Sequence, residues 1–390
     1  MTHFLATTLQ HLQALVAFDT RNPPRAIGTG GIFDYLVRHL PGFECTITDH
    51  GAGAVSLFAL RGAPRILFNV HLDTVPDSPG WSVNPFELRV SADRAIGLGA
   101  CDIKGAAAAL LAAADEGRGD AAFLFTSDEE ANEARCIAAF LAESSASGMG
   151  NQESTRPGSA GSSPQPLAAG ARDFDVVIVA EPTRGAAALA HRGISSVRMR
   201  FAGRAGHASG AQALADSALH QAVRWGSRAL AQVDALAGER FDTLSGLRFN
   251  IGRIEGGIKA NVIAPAAELR FNFRPLPSMH TDGLLAGFRA LAEPPPAEFD
   301  ETFRGPPLPA GAAAEAARRR LAARTAAENL GLTVGPAVDF WTEASLFSEA
   351  GFTSFVYGPG DIAQAHTADE WVALDELRRY AESVQRIINP

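Results

Sequence analysis

The sequence predicts an α/β protein: a mostly parallel central sheet flanked by helices, with a smaller α+β domain inserted into it. Three observations predict this. Apolar runs at Arg65–Val70, Ala121–Phe125, Phe174–Ala180 and Thr353–Tyr357 lack polar alternation, as strands covered on both faces do. Helical patterns separate them. The stretch from about 191 to 293 then changes character, because Ile194–Phe201 alternates like a half-exposed strand.

The elements follow in order. Phe4, Leu5, Leu9, Leu12, Leu15 and Val16 trace one face of an N-terminal helix. The strand at 65–70 runs into His71-Leu72-Asp73. Gly97–Asp102 then opens an Ala-rich helix at Gly105, and the run Ala106–Ala114 reads as a tightly packed helix. A second buried strand, Ala121–Phe125, leads into Asp128-Glu129-Glu130, and a helix is expected around Ile137–Leu141. Residues 144–170 are rich in Ser, Gly, Pro and Ala, and are expected to form a disordered surface loop. The strand at 174–180 ends in Glu181-Pro182.

Within the insertion, a helix is expected over Ala213–Val233, strands over Gly246–Ile254 and Val262–Phe273, and a helix near 282–292. Such a domain leaves one sheet face or edge bare, and a bare edge strand invites pairing with a second copy. Glu293–Pro296 marks the exit linker. Residues 1–190 and 294–390 are thus expected to form one discontinuous domain, with 191–293 as the insertion.

The four buried strands all end in polar residues. In open α/β sheets the carboxyl edge is where ligands bind. His71, Asp73, Asp102, Glu129, Glu130, Glu181 and His366 are therefore candidates to converge there. Read alone, each has an ordinary explanation: Asp102 as a helix N-cap, Glu129-Glu130 as a solvated loop pair, Glu181 as a turn residue. Together, two imidazoles and five carboxylates would repel and mostly protonate without cations. One or two divalent metals resolve this, and N/O donors without thiolate suit zinc, cobalt or manganese. The His71-x-Asp73 spacing puts both side chains on one face of extended chain, so Asp73 can hold the imidazole.

At this point the motifs His71–Val75, Gly97–Gly105, Asp128–Glu130, Glu181-Pro182, Ala205–Ser209 and Ala365–Thr367 resemble one family in order and in kind. It is the family of dinuclear zinc metallopeptidases that includes acetylornithine deacetylase, succinyl-diaminopimelate desuccinylase and carboxypeptidase G. Phe18–Pro24, Asp339–Phe347 and Tyr357–Thr367 are closest to its N-acetylcitrulline-deacetylating branch.

The resemblance implies the following roles. His71 and Glu181 bind one ion (zinc or cobalt), Glu130 and His366 the other, and Asp102 bridges them, followed by a cis peptide. Asp73 orients His71, and Glu129 is the general base. His207 stabilises the oxyanion, often across a dimer interface in this family. Arg274 and Asn261 contact substrate, and Arg192 and Lys259 are weaker candidates. The 191–293 insertion becomes a lid and dimerisation domain. The implied reaction removes acetyl from an N-acetyl amino acid, most closely N-acetylcitrulline; N-acetylornithine deacetylation and dipeptide or carboxypeptidase cleavage are the alternatives. A metal-binding protein without catalysis is the reading outside enzymes, and the presence of Glu129 argues against it.

Composition sets bounds. Net charge is 34 − 43 = −9 without a long basic run, which excludes nucleic acid and anionic membrane as main partners. No apolar run reaches the ~20 residues of a membrane span, and the N-terminus lacks signal-peptide features. Three scattered cysteines, Cys45, Cys101 and Cys136, suit a reduced cytoplasmic protein. The expected partners are a small N-acetyl amino acid and a second copy of the chain.

Overall fold

The computed structural model describes residues 3–24, 27–131, 133–146 and 174–389. The segment 147–173, which holds most of the expected disordered loop, lies outside them. The chain divides into two compact units. The first comprises Met1–Leu189, Leu321–Gly335 and Thr342–Pro390; the second comprises Ala190–Arg320 and Pro336–Trp341.

The first unit opens with α1 (His3–Val16) and α2 (Ile32–Arg38), then β1 (Glu44–Asp49), β2 (Val55–Arg61) and β3 (Ile66–His71). Short β4 (Arg89–Val90) and β5 (Arg94–Ile96) precede α3 (Lys104–Glu116), β6 (Ala121–Thr126), α4 (Arg135–Ala146) and β7 (Val176–Val179). The central sheet has the order β1-β2-β6-β3-β7, with β14 (Thr353–Val356) outermost. Pairs β6–β3, β3–β7 and β7–β14 are parallel, while β1 and β2 add an antiparallel edge. This is the expected mostly parallel sheet. β6 is buried throughout, and each of its Phe side chains contributes ~1.5–3 kcal/mol on burial.

The run of alanines in α3 has a packing reason. Lys104 to Ala114 are all buried, and small side chains let α1 and α10 (Leu374–Ile388) approach α3 closely. After β14 the chain forms β15 (Trp371–Ala373), which pairs with β5.

The second unit is built on β8 (Ile194–Ala202), followed by α5 (Ala213–Asp216) and α6 (Ala218–Ala235). The hairpin β9 (Arg240–Phe241) and β10 (Leu244–Ser245) leads to β11 (Arg248–Gly256), β12 (Ala266–Arg274), α7 (Thr281–Ala290) and β13 (Glu298–Gly305). α8 (Ala313–Asn329) carries the chain back to the first unit, where α9 (Ala344–Glu349) precedes β14. The sheet of the second unit is antiparallel, in the order β11-β12-β8-β13. Its inward residues Leu269, Phe271 and Phe273 pack with Trp225 of α6 and Phe288 of α7. Trp225 Nε1 donates to Phe288 O at 2.8 Å, tying the two helices.

Three boundaries differ from the sequence pattern, for identifiable reasons. The helix expected from Ala213 breaks at Ser217, because Asp216 O accepts from Arg204 N and Ala218 N donates to Ala264 O. Those groups are no longer free for a helical ladder. β12 starts at Ala266 rather than Val262, since Pro265 has no N–H to give to a sheet. Beyond the prolines at 294–296, β13 pairs with β8, so the compact second unit runs to Arg320.

Candidate metal centre

Four parallel strands deliver the site at their carboxyl ends. His71 is the last residue of β3, and Glu129 and Glu130 follow β6 by a short loop. Glu181 follows β7, and His366 lies beyond β14 after a short turn at Ile362–Gln364. Asp102 stands on the loop between β5 and α3.

The geometry resolves into two triads: His71, Asp102 and Glu181; and Asp102, Glu130 and His366. In each, one donor atom per residue lies within 4.8 Å of the others. His71 Nε2 is 3.1 Å from Asp102 Oδ1 and 3.5 Å from Glu181 Oε1. His366 Nε2 is 3.3 Å from Asp102 Oδ2 and 2.9 Å from Glu130 Oε1. The two oxygens of Asp102 therefore face opposite triads, as a bridging carboxylate must. The Asp102–Ile103 peptide is cis.

Electrostatics agree with a cation site. Burial raises Glu129, Glu130 and Glu181, helped by the charge of Glu130 at Glu129 and of Asp102 at Glu130 and Glu181, with Glu129 and Glu181 well above the usual carboxylate range. Burial alone would depress His71, but Glu181, Asp102 and Asp73 outweigh it and lift the imidazole well above its ordinary value. Hydrogen bonds to Asp102 and Glu130 push His366 up to about 11. Burial opposes ionisation of Asp102, yet hydrogen bonds with His366 and His71 hold it below its ordinary value. These carboxylates gather more positive charge than an ordinary neutral imidazole supplies, and divalent cations satisfy the same demand. Imidazole and carboxylate donors suit zinc-class ions. Cys101 is not among them: burial raises its thiol, and its Sγ lies 3.3 Å from Asp361 O as donor.

Asp73 supports both triads. His71 Nδ1 lies 2.9 Å from Asp73 O and 3.5 Å from Asp73 Oδ1. Asp73 Oδ2 accepts from Glu130 N at 3.0 Å and from Asn22 Nδ2 at 3.1 Å. The backbone carbonyl of Asp73 thus steadies a ring on β3, while its carboxylate holds the backbone of a residue after β6.

Three supporting residues had no role assigned from the sequence, although Lys104 and Glu343 lie within its motifs. Glu370 is buried and accepts from the backbone N–H groups of Gly99, Cys101 and Asp102 at 3.1, 2.8 and 2.9 Å. It holds the loop that carries the shared aspartate; burial, then the charge of Asp102, pushes it up to about 7. Lys104, wholly buried and lowered by that burial to about 7, donates to Phe18 O at 2.9 Å. Glu343 is buried, raised by burial and Asp128 to about 8, and accepts from Thr126 Oγ1 at 3.1 Å. Their partners lie far along the chain, so no local pattern assigns them a role.

The remaining candidates belong to the second unit. His207 is exposed, with Nδ1 2.7 Å from Ser209 Oγ. Its backbone bridges Val262, and Ala208 N donates to Asn261 O at 3.1 Å. His207, exposed Asn261 and exposed Lys259 thus share one loop cluster. Arg274 ends β12. The Arg192 guanidinium is wholly buried, donating from Nε to Asp339 at 2.6 Å, from Nη1 to Gly246 O at 2.6 Å and from Nη2 to Ser245 O at 2.9 Å.

Comparison with known proteins places this arrangement. Residues 67–389 match the model of peptidase family M20/M25/M40. The chain is 65% identical over 390 residues to N-acetyl-L-citrulline deacetylase of Xanthomonas campestris pv. campestris, covering 100% of this chain and 99% of that one. It is 29% identical over 346 residues to an acetylornithine deacetylase of Pectobacterium atrosepticum, covering 84% and 81% of the two chains. An M20 family metallo-carboxypeptidase from Sulfolobus solfataricus shares the fold, with TM-score 0.71, 14% identity and coverage of 100% and 99%. A di-peptidase from Saccharomyces cerevisiae does so with TM-score 0.70, 13% identity and coverage of 100% and 98%. The chain belongs to peptidase family M20/M25/M40 and is an enzyme of the hydrolase class, as its motifs imply. Among the described residues no helix is long and apolar enough to cross a membrane.

Proposed function

We propose that the protein hydrolyses the acetyl amide of N-acetyl-L-citrulline, releasing L-citrulline and acetate in arginine biosynthesis. The observation that carries this reading is the 65% identity to a deacetylase of that substrate, sustained over both full chains.

In this reading His71 and Glu181 hold one divalent ion and Glu130 and His366 the other, with Asp102 shared; zinc and cobalt both suit the donors. When bound, the two ions supply Lewis acidity and lower the pKa of a shared water. Glu129 serves as the base. Burial and the neighbouring Glu130 charge make its carboxylate avid for a proton, so it takes one from the attacking water and passes it to the departing amine. Asp73 keeps the His71 ring in place while this happens. His207 donates to the developing oxyanion. Arg274 clamps the substrate carboxylate, Asn261 binds the substrate, and Lys259 lies beside Asn261 to assist. Arg192 acts at one remove, bracing the strand end that carries Arg274, whose carbonyl it reaches at 3.4 Å.

Strand geometry supports a homodimer. The His207–Asn261 cluster leads into the start of β12 at Ala266, whereas Arg274 ends it, eight residues on. At ~3.4 Å per residue that is roughly 27 Å, longer than an N-acetyl amino acid. A pocket using both groups draws them from two copies, and the edge strand β11, exposed along most of its length, is open for pairing. Free Cys45, Cys101 and Cys136 suit the reducing cytoplasm.

The test is a metal-reconstituted assay on N-acetyl-L-citrulline, N-acetyl-L-ornithine and a dipeptide. The expected result is a kcat/KM for N-acetyl-L-citrulline at least ~10-fold above the other two. Equal values on all three would remove the substrate assignment and leave the hydrolase class standing.

A further inference from the structure

We propose a second, structural metal site formed by His11, His39 and Asp115, separate from the centre above and fitted to a zinc-class ion. One donor atom from each lies within 4.8 Å of the other two. His11 projects from α1 and is 4% exposed; Asp115 lies in the last turn of α3; His39 follows the end of α2. An ion here would join three helices through one point.

Two features fit the cluster to an ion. The first is the orientation of His11. Its Nδ1 lies 2.9 Å from the Tyr35 hydroxyl, while Nε2 lies 3.0 Å from Asp115 Oδ2. With the Tyr35 hydroxyl accepting from Nδ1–H, Nε2 is free to bind an ion, which would lie between it and Asp115 in place of the proton the two otherwise share. The second is His39. Its ring packs on Tyr35 at 4.3 Å and meets the His11 ring edge-on at 5.0 Å. Among the described residues, its ring nitrogens have no hydrogen-bond partner.

Two imidazoles and one carboxylate, with water in the fourth position, satisfy tetrahedral zinc; magnesium and calcium prefer all-oxygen sets. Ligand atoms around zinc sit ~3.4 Å apart, so the half-buried His39 ring must turn slightly inward to close the site. The position is remote from the dinuclear centre. α3 begins two residues after Asp102, and Asp115 lies eleven residues beyond Lys104, roughly 16 Å along the axis. The ion would therefore brace the far end of the helix that starts at the shared aspartate, without touching substrate.

The experiment counts ions. Full-length wild type and His39→Ala, both carrying their catalytic ions, are equilibrated with micromolar free zinc, passed through gel filtration and assayed for zinc per chain. Wild type should hold one ion more than His39→Ala, with turnover equal in the two. Zinc-dependent rise in Tm should be present in wild type and absent in the variant. Asp115→Asn should likewise lose one ion, which guards against a folding defect peculiar to one substitution. Anomalous scattering from zinc-loaded crystals should place a peak between His11 Nε2 and Asp115. Equal zinc content in wild type and both variants, or extra binding that needs millimolar zinc, overturns the proposal.

Discussion

The two units use charge in opposite ways. In the first, imidazoles and carboxylates stand at the ends of buried strands, where Asp73, Asp102 and Glu181 are almost inaccessible. In the second, charges line the open face of an antiparallel sheet: Arg198 meets Asp300 at 2.7 Å and Arg200 meets Glu268 at 3.1 Å. The residue types overlap and the distances are comparable, so neither separates the two cases. Solvent does. Arg198 and Asp300 keep 34% and 47% of their side-chain surface, and water screens what they feel. At the strand ends the carboxylates of Asp73, Asp102 and Glu181 are shielded from water, although His366 keeps 49% of its side-chain surface, and the buried charges shift one another's protonation. Ion pairs on the open face are surface finish, whereas the buried set is committed to cations.

The sharpest way to break this contrast is at Glu129. Glu129→Gln should retain both ions by elemental analysis yet lose ~10²–10⁴ in kcat. A variant with normal turnover ends Glu129's role as base. Next comes pH. Glu343 is raised from 4.5 to about 8, so between those values the folded state binds more protons than the unfolded, and stability must fall as pH rises. Its contribution is fully present below about 4.5 and gone above about 8. Denaturant titrations of wild type and Glu343→Gln from pH 5 to 8 should diverge by roughly 2–4 kcal/mol, wild type falling the more steeply. Parallel curves would show that burial of this carboxyl does not govern stability.

A smaller effect is expected at Glu370, which touches no candidate ligand side chain. Glu370→Ala orphans three backbone N–H groups around Asp102, and should weaken metal affinity ~10–100-fold. Competition with a chelator measures it, and unchanged affinity would reduce Glu370 to a packing residue. Smallest of all, Arg200→Ala should alter stability by less than ~0.5 kcal/mol. A loss above ~1 kcal/mol in urea unfolding would contradict the reading of that face as screened.

The sequence made the metal residues legible for a physical reason. His71, Glu130 and Glu181 stand at or just past the ends of buried strands, and a hydrophobic run that stops abruptly at a charge is a local signal, as at Val70–His71 or Ala180–Glu181; Asp102 and His366 lie on loops and carry no such signal of their own. The parallel sheet was legible from the same runs. Glu370 and Lys104 were not, because their partners lie far along the chain: Glu370 binds residues 99–102, and Lys104 binds Phe18. The break at Ser217 was hidden likewise, since the groups that end that helix belong to Arg204 and Ala264. Local pattern finds what faces a strand end; it misses what a remote backbone holds.

The order of the ligands along the chain has a consequence for biosynthesis. His71 emerges from the ribosome early, but His366 appears only after the whole second unit has been translated. On a nascent polypeptide the group of donors that needs His366 stays incomplete until that residue has been made. Catalytic competence thereby waits on a residue synthesised after the whole second unit.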